Sequence, residues 1–196
     1  MGLRPEHTGE VYLEGKKLRI GQTAEQIKRG LAIVPEDRQG AGLVQTMDIE
    51  KNTSLSNLKK YAKHLFLSQK AEDEDVDKVI EEIHIKVADK KLPILSLSGG
   101  NQQKVVIAKW LFQESEILFL DEPTRGIDVG AKYEIYELII QMAKAGKTII
   151  VVSSEMPEIL GITNRIGVMS NGHLSGIVNT KETDQEELLR LSAKYL

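Results

Sequence analysis

Cysteine is absent from the 196 residues, which excludes a disulfide framework, a thiolate metal site and a cysteine nucleophile, and permits a reducing cytosol. Long apolar runs are missing too. The longest reach about four residues, as in Ile117–Leu120 and Ile149–Val152, against the ~20 that a spanning helix needs. Arg4 and Glu6 carry charge with no apolar stretch behind them, so no secretory signal peptide is expected. Any work at a membrane is therefore that of a peripheral subunit. Nor is there an excess of positive charge: 26 basic against 29 acidic residues leave a net charge of -3. Without a cationic field to neutralise phosphates, nucleic acid is not expected as a partner.

What is present has the balance of an ordinary globular chain, 41% hydrophobic and 28% charged, long enough for one large domain or a domain with an insert. Glu10–Leu13 alternates, Glu14-Gly15 turns, and a short strand follows to Leu18, a hairpin pattern. Thr23 and Gln26 have capping-box spacing ahead of a short helix ending at Gly30, and Leu31–Val34 makes a buried strand stopped by Pro35. From Met47 to Lys91 strand signals vanish and a helical insert is predicted, with the acidic run Glu72–Asp75 between its helices.

The αβ alternation then returns. A helix is predicted over 100–113, with Ile107, Trp110 and Leu111 on one face, then a strand at Ile117–Leu120 and a helix over 131–144. Gly146 stops that helix, and a strand follows at Thr148–Val152. Such alternation implies a parallel sheet covered on both faces. The tail reads as a strand at Ile166–Met169, an Asn171-Gly172 hairpin turn, a second strand, and a helix capped by Thr183 with Glu186.

Two segments carry chemistry. The strand Ile117–Leu120 runs into Asp121-Glu122-Pro123, placing two adjacent carboxylates at a carboxyl end, where open α/β sheets bind ligands. That pattern suits nucleotide hydrolysis, with Asp121 holding Mg²⁺ through its water shell and Glu122 orienting or deprotonating the attacking water. The plain alternative is a strand that ends in solvated acids. Upstream, Leu97-Ser98-Gly99-Gly100-Asn101-Gln102-Gln103-Lys104 opens from small residues directly into a helix. Free N–H groups there, and glycines that admit a phosphate, form an anion site; a helix merely capped by Ser98 is the alternative. Asp121 follows Ser98 by 23 residues and leads to Thr124-Arg125-Gly126-Ile127-Asp128, an ordered set that favours the functional reading.

That ordered set resembles the signature sequence, Walker B strand and D-loop of ABC-type ATPases, and Asn101-Gln102-Gln103-Lys104 with Asp121–Lys132 resembles the bacterial simple-sugar importers. The likeness is to the second of two ATPase halves and covers nearly the whole chain. It implies a P-loop NTPase α/β core with a parallel sheet and an antiparallel hairpin, in four parts: core residues 1–40, a helical signature subdomain 41–97, core residues 98–170, and a terminal hairpin and helix over 171–196. It implies ATP and Mg²⁺ as cofactors, with Glu122 catalytic and Asp121 at the metal. Ser98, Gly99, Gly100, Gln102, Asp128, Ser154 and Glu36 would be nucleotide-binding. Expected partners are a first ATPase half, membrane permease subunits and, indirectly, a sugar-binding protein outside the cytoplasm. The setting would be the cytoplasmic face of the bacterial membrane, and Ser153–Glu158 with Ile162–Arg165 resembles the importers of galactose or methyl galactoside, which would be the cargo.

Three departures from the family pattern matter. Glu36 stands where a Q-loop glutamine is usual, so a carboxylate replaces the sensor amide. Ser154 stands where a switch histidine is usual, and serine cannot carry a positive charge. No G-x-x-x-x-G-K-[ST] motif occurs; Gly146-Lys147-Thr148 joins a helix to a strand, the reverse of the required order. The chain is therefore expected to begin inside a longer half and to be inactive alone, and a non-hydrolysing half that lends its signature to its partner is the alternative role. The remaining candidates read as ordinary. His7, His64, His84 and His173 have no metal-binding spacing, and Glu72–Asp77, Lys59, Lys60 and Lys63 read as solvated surface.

Overall fold

The computed structural model describes residues 8–19, 21–63 and 66–196. Contacts divide the chain into two units, one running to Ile150 and the other Val151–Leu196. In the first, β1 (Val11–Leu13) and β2 (Lys16–Leu18) pair antiparallel across the Glu14-Gly15 turn, where both residues take positive φ. The helix α1 (Thr23–Lys28) precedes β3 (Leu31–Val34). Gln22, and not the expected Thr23, occupies the cap, without a side-chain cap bond, and Gln26 donates to the Arg19 carbonyl at 3.1 Å.

The sheet is built from β3, β6 (Ile117–Asp121) and β7 (Thr148–Val152), in the order β3-β6-β7. β3 and β6 run parallel, Leu31 opposite Ile117 and Val34 opposite Leu120, with Ala32, Val34, Leu118 and Leu120 sealed from solvent. Consequently both strands deliver their following residues to the same edge of the sheet. Cover on both faces does not extend to β7, where Thr148, Ile150 and Val152 are exposed in alternation.

Between β3 and β6 lies the helical insert. It comprises α2 (Ile49–Ser54), a tight turn over Leu55–Tyr61, β4 (Ala62–Lys63), β5 (Phe66–Leu67) and α3 (Gln69–Glu82). The β4–β5 pair corrects the strand-free expectation: two residues per strand leave too little alternation to detect in sequence. The acidic run corrects another. Glu72–Asp77 lies within α3, where Glu72 is buried and accepts from Ser54 Oγ at 2.6 Å. Asp75 pairs with Lys60 at 2.7 Å, and Lys90 reaches Asp73 at 3.1 Å and Asp77 at 2.5 Å. Its i, i+3 and i+4 spacing turns the acids toward lysines elsewhere in the chain. Tyr61, Val76 and Phe112 form the apolar centre on which the insert rests.

The helix α4 (Gly99–Phe112) departs most from its sequence pattern. One apolar face was expected, yet every residue from Gln102 to Ala108 is buried. Elements on all sides, β3, α2 and α5 (Val129–Lys144) among them, enclose it. A polar residue there must be satisfied by protein groups, since water is excluded.

In the second unit, α6 (Met156–Ile162), β8 (Arg165–Ser170), β9 (His173–Asn179) and α7 (Gln185–Ser192) gather around Ile166, Val168, Leu188 and Leu191. The Asn171-Gly172 turn closes the β8–β9 hairpin as predicted. The α7 cap is Asp184, whose Oδ1 accepts from Glu187 N at 2.9 Å, and not Thr183. A carboxylate at that position also complements the helix dipole.

Candidate functional site

β6 ends at Asp121, and both Asp121 and Glu122 are half-buried at the carboxyl end of the strand. Glu122 has φ 45°, in the left-handed region that costs a non-glycine residue roughly 1 kcal/mol. A short loop holds it there. Pro123 and Thr124 are buried, Arg125 N donates to Glu122 O at 3.1 Å, and Ile127 N donates to Thr124 O at 3.2 Å. Gly126, at φ 67°, completes the turn into α5, whose N-cap is Asp128 with Oδ1 accepting from Ala131 N at 3.0 Å. Asp128 is thus exposed and already engaged as a cap.

Ser98 caps α4: its Oγ accepts from Asn101 Nδ2 at 3.0 Å and from Asn101 N at 3.5 Å. The two glycines have immediate protein neighbours. A Cβ on Gly99 would lie 2.8 Å from Arg38 Nη2, and one on Gly100 would lie 2.5 Å from Ala131 Cβ. Packing alone therefore requires glycine at 100. Gln102 is buried, its amide donating to Leu97 O at 3.0 Å and accepting from Gln39 Nε2 at 3.4 Å. Its side chain braces the start of α4 from inside.

Glu36 leaves β3 at the same edge as Asp121 leaves β6. Its carboxylate pairs with the Arg125 guanidinium, and Arg38 Nη1 donates to Arg125 O at 2.9 Å. Glu36, Asp37, Arg38, Gln39 and Arg125 line an open cleft of about 480 Å³. Arg38 was not singled out in the sequence. Only its place two residues beyond Glu36 hinted at it, since the 87-residue separation from Arg125 is invisible without the fold.

Asn101 and Lys104 are held by groups outside α4. Lys104 is buried, with Nζ donating to His84 O and to Glu134 Oε2, both at 2.8 Å. Lys86 Nζ meets the other oxygen of Glu134 at 2.6 Å, and Asn101 Oδ1 accepts from Lys86 N at 2.8 Å. The hydrogen bond from Lys104, then that from Lys86, holds the Glu134 carboxyl down to about 2. One turn apart on α4, Asn101 and Lys104 tie the helix to the 84–86 loop and to α5.

Ser154 belongs to the second unit, where it lines a pocket of about 390 Å³ with Met156, Ile159, Val168 and Leu188. His84 and His173 are exposed, His173 lying against the Tyr195 ring at 5.2 Å; His7 and His64 lie outside the described residues. Among the described residues no three His, Cys, Asp or Glu side chains cluster as a metal site, and no helix is long and apolar enough to cross a membrane.

Comparison with known proteins agrees with this architecture. A family model for the ABC transporter matches residues 1–125. The galactose/methyl galactoside import ATP-binding protein of Treponema pallidum (strain Nichols) is 56% identical over 195 residues, covering 100% of this chain and 39% of that protein. The protein of the same description from Pasteurella multocida (strain Pm70) is 52% identical with the same coverage. The chain thus spans 39% of the length of these curated relatives. The structure of cbiO1 from Clostridium perfringens superposes with a TM-score of 0.76 at 24% identity, covering 96% of this chain and 73% of that one. The ATP-binding cassette MJ0796, in a post-hydrolysis state with ADP and Pi, gives 0.72 at 21% identity over 88% of this chain and 74% of that one. These two carry the fold alone, and it is the expected α/β fold with a parallel sheet and an antiparallel hairpin.

Proposed function

Because the chain belongs to the ABC transporter family, we propose that it is an ATP-hydrolysing half of the subunit that energises import of a simple sugar, galactose or methyl galactoside. The observation that carries this reading is the Asp121-Glu122 pair, set at the carboxyl end of a buried parallel strand with Glu122 in a left-handed backbone. Identity of 56% to a galactose/methyl galactoside import ATP-binding protein supports the cargo.

The donor set fits Mg²⁺, which takes one or two carboxylates with substrate phosphates and keeps several waters. Asp121 would hold the ion through water, and the ion when bound supplies neutralisation of phosphate charge. Glu122 orients the attacking water and accepts its proton. Ser98, Gly99 and Gly100, at the start of α4, present the N-terminal N–H groups and positive dipole end of that helix to nucleotide held by a partner half. Glu36 stands beside the γ-phosphate, its charge already met by Arg125. The helical insert, 41–97, receives the permease subunits at the cytoplasmic face of the membrane, and the sugar-binding protein acts through that permease.

The test is single-turnover hydrolysis of MgATP trapped at the site bearing Glu122, in the importer assembled with its permease in vesicles. Glu122→Gln slows that turnover by about 10²-fold or more, the usual contribution of a positioned general base. An unchanged rate at that site overturns the reading.

A further inference from the structure

We propose that Arg38 is a positioning residue that fixes the 125–128 turn, and that Glu36 completes the clamp by binding the side chain of Arg125; this rests on the hydrolytic reading above. Arg38 Nη1 donates to Arg125 O at 2.9 Å and Nη2 to Gly126 O at 3.5 Å. A guanidinium is a planar fork, so a single side chain spans two successive carbonyls. Glu36 takes the guanidinium of the residue whose carbonyl Arg38 holds. Backbone and side chain of Arg125 are therefore gripped from one short segment, Glu36–Arg38, the backbone by a cationic donor and the side chain by a carboxylate.

The gripping segment is itself anchored. Asp37 Oδ1 accepts from Gly40 N at 2.9 Å, capping the wide turn Arg38–Gly42. Gln39 reaches Gln102 on α4 at 3.4 Å, and Gln45 Nε2 donates to Gln39 O at 3.1 Å. Arg38 also lies against Gly99, where its Nη2 is 2.8 Å from the position of an absent Cβ. The clamp thus joins the exit of β3, the start of α4 and the loop after Glu122. Because Arg125 N bonds to Glu122 O, moving the turn moves the backbone that aims the Glu122 carboxylate. Lysine at 38, a single point charge, holds one carbonyl and not both.

Hydrogen exchange read at the amides of residues 125–128 tests the clamp without any nucleotide. Arg38→Met raises exchange there by about tenfold, as expected for loss of charge-assisted bonds, and Arg38→Lys gives a smaller rise. Glu36→Arg raises it as well, and adding Arg125→Glu brings it back toward the wild-type rate. In the assembled importer, Arg38→Met lowers kcat for ATP about tenfold with KM within about twofold, the mark of lost positioning rather than lost affinity. Exchange at 125–128 that does not change, or that rises equally through β6 and α4, overturns the clamp; so does a charge swap that fails to recover protection. A wild-type importer that does not hydrolyse ATP overturns the functional reading and leaves the exchange result to decide the clamp.

Discussion

A Cβ on Gly100 would stand 2.5 Å from the Cβ of Ala131, so α4 and α5 touch with no space for one more methyl group. Gly100→Ala is expected to destabilise the chain by ~1–3 kcal/mol through overpacking. Ala131→Gly in the same background recovers part of that loss. Urea unfolding of the four members of the cycle measures a coupling of ~0.5–3 kcal/mol; additive losses would mean that the two positions do not meet.

The Glu134 carboxyl, held to about 2 by Lys104 and Lys86, fixes the sign of a pH effect. A carboxyl whose folded pKa lies below its unfolded value stabilises the fold above the unfolded value, near pH 4.5, and loses that contribution as pH falls toward 2. Glu134→Gln should therefore lower the melting temperature at pH 7, and the gap from wild type should close on approach to pH 2. A deficit of constant size across that range would assign the loss to packing.

Glu50 behaves in the opposite sense. Its side chain is wholly buried on α2, where Lys91 Nζ lies 2.6 Å away and Gln69 Nε2 donates at 2.8 Å. Burial raises its pKa, opposed by the hydrogen bond from Lys91. Lys91→Met removes the opposing cation, raising it further. The unfolded chain then loses its proton first, so the variant's stability falls as pH rises through the carboxylate range. Denaturation at pH 4 and pH 7 checks this: the loss should be larger at pH 7, ~1–3 kcal/mol for a buried carboxylate that loses its cationic donor and keeps only the Gln69 amide.

At the start of α7, Asp184→Ala should cost ~1 kcal/mol by removing the cap on Glu187 N. Thr183→Val should be neutral or stabilising, because Thr183 Oγ1 is buried without a hydrogen-bond partner among the described residues. Thermal melts of the two variants separate Asp184 from its neighbour as the cap.

Period and punctuation made much of this chain legible. Pro35 ends β3 and Gly146 separates α5 from β7 because each acts within one or two residues, and β6 announces itself as four apolar residues meeting Asp121. Choices between adjacent candidates were harder. Thr183 and Asp184 are both good caps, and only the backbone path selects one. The acidic run on α3 read as solvent-facing because its lysine partners come from elsewhere in the chain, 90 and 91 among them. The surroundings of α4 were hidden for the same reason: Ile107, Trp110 and Leu111 mark one apolar face, whereas the enclosure of Gln102–Lys104 depends on groups far away in the sequence, His84 and Glu134 among them. At the site, Asp121, Glu122 and Ser98 declared themselves through local spacing, whereas Arg38 depended on a contact made across the sheet edge.

The left-handed backbone at Glu122 has a consequence for how the chain drifts under mutation. Glycine accepts φ 45° without the steric cost borne by a side chain. Selection for heat resistance or expression, blind to nucleotide, would therefore tend to accept Glu122→Gly, discarding the carboxylate and relaxing the loop in one step. Retention of glutamate at 122 opposes that pull, so libraries screened for robustness alone are expected to accumulate well-folded molecules that lack the group placed to act on water.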